Sequence, residues 1–176
     1  QFDKIDVEEM GLIKFDILGL KTFIEFEKTM SGVLAVSLKM TQEQFTDLSE
    51  TAQDMGLRTV FSAKEIAKGM ETLAGAGFQV SDTQNEIKEA MVGVVDLAAA
   101  EGTSVANAGR IMANVLRSMN LATDQAGRVA DVLAVASTKS QINMTLLGES
   151  FAYAASTARP LGLTLEQTAA ALTIVS

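Results

Sequence analysis

The feature that most constrains this 176-residue chain is a helix-start signal that returns at nearly even spacing. Thr41 with Gln44, Ser62 with Glu65, Ser81 with Gln84 and Thr164 with Gln167 each fit the capping box. In that motif a hydroxyl accepts the N3 backbone N–H while the N3 side chain accepts the N-cap N–H. Thr103 or Ser104, Thr123 and Thr145 offer simpler caps for the backbone donors that a helix start leaves unpaired. The starts at 41, 62, 81, 103, 123, 145 and 164 stand about twenty residues apart, which predicts a helical hairpin repeating about every forty. A single hairpin has too little interior to bury its apolar stripes, so the hairpins must stack on one another.

Between these starts the apolar positions follow the 3.6-residue helical period. Phe23, Phe26, Met30 and Val33 share one face, and Phe45, Leu48, Ala52 and Met55 a second. Ile66, Met70 and Leu73 lead into Gly75 and Gly77, while Ile87, Met91, Val94 and Ala98 stop at Gly102, glycine being the usual helix terminator. Ala108, Ile111, Val115 and Met119 end at Asn120, a residue that tolerates the left-handed conformation. Val129, Val132, Leu133 and Ala136 follow, and Ser137 to Asn143 read as a loop. A seventh helix begins near Thr145, carries Phe151, Ala155 and Ala158, and ends near Pro160, since the residue before proline is pushed out of the helical region. Leu165, Ala169 and Leu172 mark the eighth. Gly69, Ala74, Gly93, Ala98, Ala99, Ala106, Gly109, Ala113, Ala154 and Ala170 are small enough to let helix axes approach closely.

The opening residues read differently. Ile13, Phe15 and Ile17 alternate with Lys14 and Asp16 in the period-2 pattern of a half-buried strand. Before it, Asp6 is placed to cap a short turn over Val7 to Met10 that Gly11 stops, and Gly19 closes the strand after Leu18. The predicted fold class is therefore all-α, stacked antiparallel helical hairpins with a short helix-strand extension at the N-terminus.

Composition enters where it excludes chemistry. With no His and no Cys, imidazole bases, thiol nucleophiles, disulfides and the usual zinc, haem and iron-sulfur ligands are all removed. Fourteen basic against 22 acidic residues give a net charge of −8, and no basic cluster is present to track a phosphate backbone, so no direct nucleic-acid binding is expected. The longest apolar stretch, Ala90 to Ala100, contains Asp96 and is too short to span a bilayer. No signal-peptide pattern follows Gln1. The last helix shows no stop before Ser176, so both termini are expected to be cuts through longer sequence.

Three further features are read as structural. The nine Met residues fill helical cores better than they define a groove. Glu43, Glu50, Asp54, Glu86 and Glu89 fall on polar faces as solvated carboxylates and not as metal ligands. Gly75-Ala76-Gly77 lacks the preceding strand and the Lys-Ser/Thr pair of a nucleotide loop, and a helix-terminating turn accounts for it. No cofactor and no metal is expected.

Over residues 26 to 172 the sequence resembles the conserved helical region of phage tail tape measure proteins. The resemblance rests on Phe26-Glu27-Lys28-Thr29-Met30, on the runs Thr59 to Phe78 and Val95 to Asn120, on Arg128-Val129-Ala130-Asp131-Val132-Leu133, and on Phe151 to Leu172. It implies a structural, non-catalytic segment that takes part in tail assembly and tail-length determination. The implied partners are tail tube and tail-assembly proteins, and the implied location is the virion tail, with assembly in the host cytoplasm. Such chains convert length into tail length, an α-helix gaining about 1.5 Å per residue. This segment matches the compact helical region and not the extended ruler.

Residues 1 to 22 resemble the catalytic subunit of bacterial replicative DNA polymerases of the DNA polymerase III alpha type. Asp16, within Lys14-Phe15-Asp16-Ile17-Leu18-Gly19-Leu20, matches that family's third metal-binding aspartate. The two upstream aspartates that would complete a two-metal site are missing, so the resemblance implies an inert Asp16. The chain then divides into a polymerase-like piece, 1–22, joined near residues 22–25 as by a fusion or an assembly artefact, and a helical tape-measure-like domain, 23–176, truncated at its C-terminus. Two alternatives remain: a generic helical protein-interaction module, or an inactive polymerase fragment fused to a helical domain. Expressed alone, the chain is expected to self-associate through exposed ends of its stack.

Overall fold

The structure, a computed structural model, describes residues 17–37, 40–140 and 143–175. It contains eight α-helices among these residues: α1 (Ile17–Val36), α2 (Gln42–Arg58), α3 (Ala63–Gly75), α4 (Glu86–Glu101), α5 (Val105–Met119), α6 (Ala126–Lys139), α7 (Met144–Ala158) and α8 (Leu165–Val175). A 3₁₀ turn, Thr123–Gln125, leads into α6.

Helices alternate between two rows. α1, α3, α5 and α7 pack in succession along one row, α4, α6 and α8 along the other, and consecutive helices close the hairpins between the rows. α2 packs on α3 and heads the second row through Asp47, which accepts from Lys88 Nζ at 2.9 Å at the start of α4. The hairpin period is thus the distance along the chain between row neighbours. Side-chain bonds along the rows show it directly. Lys64 reaches Glu25 (2.6 Å) and Arg110 reaches Glu149 (3.4 Å). Arg128 donates through Nε and Nη2 to both oxygens of Glu166 (2.7 and 2.8 Å). These pairs lie 38 or 39 residues apart.

One apolar core runs through the stack. Phe26, Met30, Val33, Leu48, Ile66, Met70, Leu73, Ile87, Met91, Ile111, Val129, Leu133 and Phe151 are all buried in it. Burying each such side chain contributes about 1.5–3 kcal/mol. A half-exposed ion pair is worth about 0–1 kcal/mol, so the core supplies the stability and the ladder marks the register. Glycine sets the spacing. A Cβ on Gly69 would meet Val105 Cγ1 at 2.7 Å and one on Gly148 would meet Ile111 Cγ2 at 2.7 Å. Gly93 has backbone in that place, Ala126 O at 2.3 Å.

Local signals formed as the sequence predicts at most helix ends. Thr41 with Gln44, Ser62 with Glu65, and Thr164 with Gln167 make reciprocal capping boxes. Gly102 and Asn120 end α4 and α5 in the left-handed conformation, at φ 61 and 54.

Six expectations are corrected. Ser81 and Gln84 do not start α4. Ser81 Oγ accepts Gln84 N–H, but it is the backbone carbonyl of Gln84 that accepts Ser81 N–H, closing a turn bridged from Val80 to Asn85. Asn85 is the N-cap instead, accepting from Lys88 N. Thr123 caps nothing, because its hydroxyl is taken by the Glu89 carboxylate across the row. Asn143, not Thr145, caps α7, and α6 continues through Ser137 to Lys139 before the loop. Phe23, placed on the core face by periodicity, is 55% exposed, because α1 is the first of its row among the described residues and its buried stripe is Phe26, Met30 and Val33.

The sixth correction concerns the extension. Ile17 and Leu18, read as the end of a strand, lie in α1, and no strand is present among the described residues. Among the described residues Ile17 and Leu18 have no strand to pair with, and they join the helical run that follows. Asp6, Val7 to Met10, Gly11, Ile13, Phe15 and Asp16 lie outside the described residues.

Glycine spacing gives a paired test. Gly93→Ala gains helix propensity yet drives a methyl into backbone, so it should lower unfolding free energy by about 1–3 kcal/mol. Gly127→Ala, with nothing within 4 Å of the added carbon, should raise it by about 0.5–1 kcal/mol. Urea denaturation of the two variants measures both.

Candidate interaction surfaces

The acidic residues separate by position. Glu43, Glu50 and Asp54 are exposed on α2, as expected of a solvated face. Glu86 and Glu89 are half-buried and serve the turn before α4. Glu86 accepts Gln79 N–H at 2.8 Å, and Glu89 accepts Gln84 Nε2 at 3.0 Å together with the Thr123 hydroxyl. Among the described residues no group of three His, Cys, Asp or Glu side chains is placed to hold a metal ion. Asp16, the one matched polymerase position, lies outside them.

Four carboxylates are held below the usual glutamate range by their partners. The Lys64 ammonium does this for Glu25, the Ser62 backbone N–H and hydroxyl for Glu65, and the Gln84 amide and Thr123 hydroxyl for Glu89. Glu166 is held by its own backbone N–H and then by the Arg128 guanidinium. All four bonds stabilise structure at a helix start or between row neighbours.

The turn Gly75-Ala76-Gly77 sits at the carbonyl end of α3, with Gly77 at φ 87. The next helix begins only at Glu86, so these glycines face no helix N-terminus of the kind that cradles phosphate. The Arg117 guanidinium stacks 4.7 Å from the Phe78 ring centroid beside the turn. Met30, Met70, Met91, Met112, Met119 and Met144 are buried, and Met40 and Met55 pack against the core. Methionine is core filler here.

Two apolar surfaces are open among the described residues. An apolar groove of about 370 Å³ runs between α6 and α8, lined by Val132, Val135, Ala136, Ala169, Ala170 and Thr173. α1 exposes Leu20, Phe23, Ile24 and Leu34. The last hairpin has three charged residues, Glu149, Arg159 and Glu166, and each bonds back to the preceding hairpin, to Arg110, Ser118 O and Arg128. Sequence reading missed these long-range pairs. For the Arg110–Glu149 and Arg128–Glu166 pairs the signal was present as opposite charges spaced by the hairpin period. Among the described residues no helix is long and apolar enough to cross a membrane.

Comparison with known proteins gives a consistent picture. The family described as "Phage-related minor tail protein" matches residues 49–176. The chain is 43% identical over 167 residues to a protein named "Tape measure protein" from Pneumococcus phage Dp-1. That match takes in 95% of this chain and 14% of the relative. Nine residues of the chain are left outside it, so the similarity reaches into the first 22 residues. No solved structure matches the chain.

The four glutamates give a pH test with a definite sign. Each ionises more readily folded than unfolded, so its stabilisation is complete above the unfolded value of about 4.3 and is lost as pH falls through the lower folded values. The urea midpoint should hold steady from about pH 8 to pH 6 and fall as pH drops below about 4.3. Glu89→Gln should lower the neutral-pH midpoint and make that fall shallower.

Proposed function

Because the chain belongs to the phage-related minor tail protein family, we propose that it is a scaffolding segment of a tape measure protein, acting through the surfaces of stacked helical hairpins. The observation that carries this reading is the 43% identity over nearly the whole chain to a tape measure protein. In this reading the partners are tail tube and tail-assembly proteins, met in the host cytoplasm during assembly and retained in the virion tail. The segment has no catalytic role. Magnesium-dependent primer extension by the purified chain would contradict that and revive the polymerase resemblance of residues 1–22.

The stacked fold also bears on how tail length is set. A row contact advances the stack by about 8–10 Å per hairpin, whereas the same 39 or so residues in one continuous helix would span about 60 Å. A folded stack therefore makes a poor ruler and a good docking platform. We assign this segment to assembly contacts and tail-length measurement to other parts of the longer protein.

Deleting one hairpin, residues 103–140, from a phage gene carrying this segment distinguishes the two roles. The scaffolding role predicts loss of tails by electron microscopy, because the row is broken. Viable particles with tails shorter by about 60 Å would show instead that the segment measures length.

A further inference from the structure

Among the described residues α1 is the first of its row, and none of them places a helix on its side turned away from α3. Leu20, Ile24 and Leu34 stand exposed on that side at 51, 56 and 40%, and Phe23, 55% exposed, borders them beside Gln53 of α2 and the start of α3. Other exposed large apolar residues, such as Leu57, Val60, Tyr153 and Ile174, are scattered singly, which protein surfaces tolerate. These four share one helix at helical spacing. Beside them α2 exposes Glu43, Thr46, Glu50, Gln53 and Asp54, a polar surface of the kind that caps a stack. The apolar face on α1 therefore has the width of one added helix.

We propose that α1 pairs antiparallel with α1 of a second copy of this chain, about a two-fold axis passing between Glu27 and Lys28. A two-fold contact requires one surface to complement itself, and α1 does so when turned end for end. Leu20 then falls opposite Ala35, with Leu34 beside it, and Ile24 opposite Ser31, so the directly facing pairs set a large side chain against a small one. Glu27 falls opposite Lys28 twice over, both exposed. Ser31 presents no unmet polar group to the partner, because its hydroxyl donates to Glu27 O at 2.9 Å within its own helix. A parallel pairing would set Glu27 on Glu27 and Lys28 on Lys28, which is unfavourable. The pairing follows from this helix alone and does not depend on the tail assignment.

One helix face is smaller than the roughly 800 Å² per partner of a standard interface, so the dimer should form in the micromolar range or weaker, and concentration must be varied. The chain has no cysteine, which permits a clean test of orientation. Chains carrying Leu20→Cys and chains carrying Leu34→Cys, mixed under mild oxidation, should give a disulfide-linked dimer. Neither should do so alone, since positions 20 and 34 lie about 21 Å apart along the helix. Phe23→Glu with Ile24→Glu should weaken association by sedimentation at least tenfold while leaving the helical circular dichroism unchanged. Faster crosslinking by Leu20→Cys alone than by the mixture would overturn the antiparallel arrangement. A strictly monomeric wild-type chain up to about 1 mM would overturn the dimer and point to a different occupant of the face.

Discussion

Everything in this structure depends on the row contact, the packing of a helix on the helix two places along the chain, made by α1, α3, α5 and α7 in one row and by α4, α6 and α8 in the other. A hairpin of two amphipathic helices satisfies its backbone internally but leaves its flanks apolar, and only another hairpin of the same width can cover them. The chain meets that need with nearly constant spacing, so residues about 39 apart become neighbours. The Arg110–Glu149 and Arg128–Glu166 pairs are one sign of this, and the close approach of Gly69 to Val105 and of Gly148 to Ile111 is another. Their energies differ in kind. The half-exposed pairs add little and favour one register over a slipped one, while the buried Met, Leu, Ile and Phe side chains supply most of the stabilisation.

Much of this was legible in the sequence because helix ends are written locally. Thr41, Ser62 and Thr164 name their helix starts within four residues, and Gly102 and Asn120 name the stops. Misreadings came where a local code had a non-local competitor. Ser81 and Gln84 carry the residues of a capping box, but Gln84 turns its side chain to Glu89 and Thr123. Thr123 in turn leaves its own helix for Glu89. Phe23 fits the apolar period of α1 and still faces outward, since periodicity shows which residues lie near one another on a helix and not whether a neighbour exists to cover them. The surfaces proposed for function were hidden for the same reason. Exposed Leu20, Ile24 and Leu34 look like any other apolar residues until the end of the row is known.

The opening of the chain shows the limit of a motif read alone. α1 runs unbroken from Ile17 to Val36 through the expected join, and the similarity to the tape measure relative reaches into the first 22 residues. The division at 22–25 thus rests on the polymerase resemblance by itself, and the intact reading frame decides it.

A compact stack is the premise of the functional account, because a folded platform and an extended ruler make opposite use of the same residues. Small-angle X-ray scattering of the isolated chain, extrapolated to infinite dilution, tests it most directly. Stacked hairpins predict a radius of gyration of about 16–20 Å. A value above about 60 Å, as for one continuous helix of this length, would contradict the stack and the scaffolding role built on it.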